Sequence, residues 1–173
     1  KSEYKYKDPK ALNNALHESA KFDTALAFLR NYPDHIINID YTKSYSGLRP
    51  DLVVTMSDMN DNKKIFLVEI ERKKTVDRVV NEKIGRYEHT IKPLIKNGAL
   101  PKNTQILFLY SNFYWNAYLR PQEFGQYEKM LSFQYAQLRH LIKKVSYLPE
   151  HYKFAIFPDC VESDQFGSFD LNK

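Results

Sequence analysis

The chain has 173 residues, which suits one domain with a respectable core, and its 26 Lys and Arg against 21 Asp and Glu leave a net charge of +5 that favours an anionic partner. A single cysteine, Cys160, excludes a disulfide framework and a thiolate metal site, and the five histidines show no zinc-binding spacing. No apolar run approaches the roughly 20 residues of a membrane span and no signal peptide opens the chain, so a cytoplasmic protein without membrane contact is expected.

The first residues, Lys1 to Lys7, are charged, poor in aliphatic side chains and lack an initiating methionine, which fits the C-terminal part of a longer protein. From about Pro9 to Arg30 the chain reads as a helix with Leu12, Leu16 and Leu26 as its apolar stripe; His17 and Glu18 lie off that stripe and read as solvated. A short strand follows near His35 to Tyr41, then two runs of strand formers, Leu52 to Met56 and Lys64 to Glu71, separated by turn chemistry at Ser57 to Asn62. Helical spacing returns over Val76 to Lys96, a strand is expected at Gln105 to Tyr110, a helix at about Glu123 to Lys144 with Leu131, Leu138 and Leu141, and a strand at Tyr152 to Phe157. The α-β-β-β-α-β order describes an α/β domain with a mixed sheet flanked by helices. Its core spans about residues 9–158, residues 159–173 form a polar tail, and the Lys64 to Glu71 strand is central because both its faces are apolar.

The two strand runs form a hairpin. With Asn60 as the pivot, Met56 faces Lys64 and Asp51 faces Glu69, their Cβ atoms about 5 Å apart on one face of the sheet. Strand alternation adds Glu71 to that face. Clustered carboxylates raise one another's pKa, so the arrangement requires a counter-charge. A divalent cation held through hard oxygen ligands, Mg2+ or Mn2+, is one answer; a salt bridge to Arg72, Lys73 or Lys74 is the other.

The helix after the acidic strand bears on that choice. Val79, Val80, Ile84, Tyr87, Ile91 and Leu94 make one stripe, and Lys83 lies near its middle, one turn from Tyr87. A lysine centred on a core-facing stripe must snorkel to water or meet an anion, here the carboxylate cluster or a phosphate.

The Pro50-Asp51 pair, the Glu69-Ile70-Glu71 tripeptide and the Lys83 and Tyr87 pair resemble the PD-(D/E)xK nuclease superfamily, and within it Arg49-Pro50-Asp51, the Phe66 to Arg72 strand and the Lys-x-x-x-Tyr helix look most like plasmid replication-relaxation proteins. The resemblance implies a restriction-endonuclease-like αβββαβ core with helices on both faces. It implies Asp51 and Glu69 as ligands of Mg2+ or Mn2+, Lys83 and Tyr87 as supports of the site, and His17 or Glu18 as a first-helix contribution to the metal shell. It implies DNA as the partner, with other replication or transfer proteins beside it. One position departs, for Glu71 stands where the superfamily carries its lysine. Three readings of that departure would keep activity: Glu71 as a further acid, or Lys73 or Lys83 as the source of the ammonium. The fourth is a catalytically inactive domain.

Lys63, Lys64, Arg72, Lys73, Lys74, Arg78, Lys83 and Arg86 crowd in sequence around the acids, as a groove for a phosphate backbone requires, with Arg49 beside Asp51; a solvated helix face is the plainer account. The thirteen tyrosines and eleven phenylalanines read as core rather than as a platform for bases. Three functions follow for test: a metal-dependent DNA endonuclease, a binding module of the same fold that has lost catalysis, and an interaction domain without nucleic-acid contact.

Overall fold

The computed structural model describes residues 9–57, 60–71, 80–110 and 149–156. Helix α1 covers Pro9–Asn31, strands β1, β2 and β3 cover Ile36–Asp40, Leu52–Ser57 and Lys63–Glu71, and a π-helical turn, Val80–Ile84, runs into helix α2, Gly85–Lys96. Strand β4 is Gln105–Tyr110, and a 3-10 turn at Pro149–His151 leads into β5, Tyr152–Ile156. The expected helix at 123–144, the start of the Val76 helix and the polar tail lie outside the described residues.

The five strands form one mixed sheet in the order β1-β2-β3-β4-β5, so the strand with two apolar faces is the middle one. Strands β1, β2 and β3 are antiparallel neighbours, and β3-β4 and β4-β5 are parallel. A parallel pair cannot be closed by a hairpin, and α2 lies within the crossover from β3 to β4. The β2-β3 hairpin has the register expected about Asn60: Met56 faces Lys64, Val54 faces Phe66 and Leu52 faces Val68. Asp51 lies one residue outside the strand, so the expected pairing of Asp51 with Glu69 is not part of the ladder; its backbone N–H donates to Val68 O at 2.9 Å.

Alternation along β3 sorts the core into two layers. Phe66, Val68 and Ile70 pack with Leu52, Val54, Met56, Leu107 and Leu109 against α1. Ile65 and Leu67 pack with Val53, Ile106 and Phe108 against Ile84, Tyr87 and Ile91 of the π-turn and α2. The sheet therefore carries a helix on each face. Glu69 and Glu71 have the odd numbering of the α2 layer, and this puts them under the helix that bears Lys83.

Helix α1 packs differently from the leucine stripe expected of it. Among its described side chains the buried ones are Ala20, Thr24, Ala25, Ala27 and Phe28; Leu16 is half-buried and Leu26 is 46% exposed, and Leu12 lies outside the described side chains. Small residues let the helix backbone approach the sheet, with Phe28 filling the remaining gap against Phe66 at a ring separation of 5.4 Å. Thr24 turns its hydroxyl back onto Ala20 O at 2.7 Å, so its polar atom is satisfied inside this layer. The other layer is tied by rings: Phe108 stacks on Tyr152 at 6.2 Å and meets Tyr87 edge-on at 5.8 Å. No described helix is long and apolar enough to cross a membrane.

Candidate functional site

The C-terminal end of β3, where the β2 hairpin partner begins, gathers six of the side chains that the sequence singled out. Asp51 turns its carboxylate across the end of the ladder: Oδ2 accepts the backbone N–H of Ile70 at 2.8 Å, and Oδ1 accepts Nε2–H of His17 at 2.9 Å. His17 comes from α1 because it sits seven residues, two turns, before the buried Thr24 and so shares its line on the helix. The leucine stripe pointed away from this residue, and the small-residue face explains why it nonetheless reaches the site.

Glu69 is buried beside Asp51 and has a donor on each oxygen. Tyr87 donates its hydroxyl to Oε1 at 2.5 Å, and Lys83 donates its ammonium to Oε2 at 2.5 Å. Lys83 also pairs with Oε1 of Glu71, a side chain 4% exposed. Lys83 and Tyr87 are four residues apart across the junction of π-turn and helix, so both reach down to the same strand. Among the described residues the counter-charge beside Glu69 and Glu71 is thus Lys83. The lysine inside the apolar stripe has met the carboxylates.

The electrostatics follow from burial and these partners. Burial pushes the Asp51 carboxyl up, but the bond and charge of His17, the Ile70 N–H and the charge of Lys83 outweigh it and hold the group below the ordinary range. For Glu69 burial prevails, helped by the neighbouring Asp51 charge and opposed by Lys83 and Tyr87, so its carboxyl lies above the usual range. Burial disfavours the Lys83 ammonium, yet Glu69 and Glu71 raise it above its usual value. Burial and the adjacent Glu69 push the Tyr87 hydroxyl well up, which keeps it a donor.

Other nominated residues stand apart. Glu18 is exposed and pairs with Lys21 on its own helix at 2.8 Å. Arg49 is exposed. Arg86 is exposed as well, its Nε bonded to Glu82 O at 3.1 Å. Lys63 and Lys64 do not crowd the acids: they begin β3, and five residues of strand place Lys64 roughly 16 Å from Glu69. Lys64 is moreover 2% exposed, its ammonium 5.2 Å from the Phe66 ring centre. Arg72, Lys73, Lys74 and Arg78 lie outside the described residues. Sequence reasoning missed Tyr152, whose hydroxyl donates to Ile84 O at 3.3 Å beside Lys83; a contact across 68 residues leaves no local signal.

Among the described residues no three His, Cys, Asp or Glu side chains form a ready metal cage. The donor chemistry of Asp51 and Glu69 nevertheless suits Mg2+ or Mn2+, which keep several waters and take one or two carboxylates from a protein. Each of their four oxygens has one hydrogen-bond partner, and a carboxylate offers about four lone-pair positions, so acceptor capacity is left over. No family model, curated protein or solved structure matches the chain.

Proposed function

We propose that this chain is a cytoplasmic Mg2+- or Mn2+-dependent DNA endonuclease with a restriction-endonuclease-like core, related to the nuclease-like domain of plasmid replication-relaxation proteins. The observation that carries this reading is Lys83, an ammonium brought from a neighbouring helix onto Glu69 and Glu71. The motif lysine is missing from position 71, and Lys83 supplies a positive charge beside that position.

Asp51 and Glu69 would hold the cation. When bound, it lowers the pKa of a coordinated water and offsets charge on a phosphoryl oxygen. In hydrolysis the water oxygen bonds to phosphorus, the bond to one bridging oxygen breaks, and that oxygen leaves with a proton. Lys83 would offset the extra negative charge on the phosphate or orient the water, and Glu71 holds the ammonium at that place. Tyr87 fixes the Glu69 carboxylate from the opposite oxygen, and His17 with the Ile70 N–H fixes Asp51.

The test is incubation of supercoiled and single-stranded DNA with the protein and Mn2+, beside Asp51→Ala. Cleavage by the wild type and none by the variant is the expected result. A second reading rests on Glu71 itself: an acid at the motif-lysine position that neutralises Lys83 suits an inactive module gripping DNA or a replication or transfer protein. Equal inertness of both proteins with DNA binding retained would favour it.

A further inference from the structure

Helix α1 has a second face that its packing on the sheet does not use. Ala15, Ser19, Phe22, Leu26 and Leu29 follow one another at alternate steps of four and three, the seven-residue repeat that lays a single seam along a helix, and all five are exposed. The large ones stand well out of the core: Phe22 is 59% exposed, Leu26 46% and Leu29 44%. Ala20, Thr24, Ala27 and Phe28, which are buried, lie on the opposite side of the helix. A surface helix ordinarily turns polar residues outward, so three large apolar side chains in line call for a partner. The charges beside the seam are uncommitted too. Asp23 and Arg30 flank it on one side, and among the described residues neither has a hydrogen bond or an ion pair. Partial burial pushes the Asp23 carboxyl up with no counter-charge to offset it.

We propose that this seam is a self-association surface, on which two copies of the chain pair their α1 helices antiparallel about a twofold axis at Leu26. A twofold interface must be complementary to itself. Antiparallel pairing sets Leu26 against its own copy and Phe22 against the partner's Leu29. Asp23 and Arg30 have the same seven-residue separation as Phe22 and Leu29 and share one flank, so the same rotation brings Asp23 opposite the partner's Arg30, and Arg30 opposite the partner's Asp23, to within about 1.5 Å along the axis. Parallel pairing lacks this match, because it sets Asp23 beside the partner's Glu18. Three large side chains from each copy make a small interface, so the dimer is weak and dissociates at micromolar concentration. His17, which holds Asp51, lies roughly 140° around the helix from Phe22; the seam is therefore separate from the acids, and self-association stands independently of the nuclease reading.

The experiment is sedimentation velocity of the purified full chain, with light scattering, from about 2 to about 500 µM, a range that brackets a weak dimer. The wild type should pass from monomer to dimer across it and go no further. Leu26→Glu, which sets two carboxylates on the axis, should stay monomeric with the circular dichroism of the wild type. Asp23→Arg alone and Arg30→Asp alone should each weaken the dimer by about tenfold, since two attractive contacts become repulsive, and the double variant Asp23→Arg/Arg30→Asp should restore it. A wild type that stays monomeric, or that grows past the dimer, overturns the proposal. A dimer unmoved by folded Leu26→Glu does so too. Should that variant not fold, the charge reversals decide, and a double variant no tighter than the single ones would mean that these flanks do not meet.

Discussion

Lys83 donates to Glu69 across the boundary between the crossover helix and the central strand, at 2.5 Å, while the same ammonium pairs with Glu71. Two buried acids on one strand thus share one base from the next element. Removing one partner of a buried pair leaves an uncompensated charge, at a cost of about 3–5 kcal/mol. Lys83→Met should lower unfolding stability by about that amount in urea titration. A loss below about 1 kcal/mol, the size of an exposed pair, would mean that the ammonium lies in water.

Tyr87→Phe removes one donor from Glu69 and leaves the ring against Phe108. Hydrogen bonds to charged groups contribute about 1.5–3 kcal/mol, so a loss of that size is expected in the same titration. Because the hydroxyl lowers the Glu69 carboxyl, the variant should also move it further upward, read from its side-chain carbonyl carbon in an NMR pH titration. An unmoved titration would show that the bond does not form in solution.

The two metal-ligand candidates should pull the acid limb of stability in opposite directions. Asp51 has a folded pKa below its unfolded value of about 3.9, so its contribution is whole above that pH and is lost as pH falls through the folded value. Glu69 has a folded pKa above its unfolded value of about 4.3; its contribution is whole below that pH and lost as pH rises through the folded value. Denaturation between pH 2 and 7 should show Asp51→Asn losing an upward slope with pH and Glu69→Gln losing a downward one. Two slopes of the same sign would contradict this pairing. Lys83, raised above about 10.4, adds stability below that pH that disappears as pH rises through its folded value.

Phosphate contacts weaken with salt, and the placement of basic residues decides which ones count. Arg49 is exposed next to Asp51, and Arg86 is exposed just past Lys83, whereas Lys63 starts β3 at its far end. If the chain grips DNA as proposed, replacing Arg49 or Arg86 with Ala should each reduce the slope of DNA affinity against salt by about one, the share of a single neutralised phosphate. Lys63→Ala should leave that slope unchanged. Fluorescence anisotropy over 50–200 mM salt would read both, and an effect of Lys63 equal to that of Arg49 would place the DNA elsewhere.

Much of the architecture was legible because it is local. Turn residues around Asn60 set the β2-β3 register, alternation told that β3 has two apolar faces, and spacing put Lys83 in line with Ile84, Tyr87 and Ile91. Helix α1 was read by its large residues, Leu16 and Leu26, when the sheet demanded small ones, Ala20 and Ala27; that reading also turned His17 toward solvent. No sequence pattern marks an alanine face as the buried one until a flat partner lies against it.

By itself the sequence determined that Glu69 and Glu71 share one face of the central strand and that a lysine on the next helix faces inward, since both depend only on strand and helix periodicity. Tertiary structure decided which anion that lysine neutralises, which histidine holds Asp51, and that Tyr152 braces the turn between them. Those pairings depend on how α1 and α2 seat on opposite faces of the sheet. That seating comes from packing among residues far apart in the chain, where no local spacing carries the information.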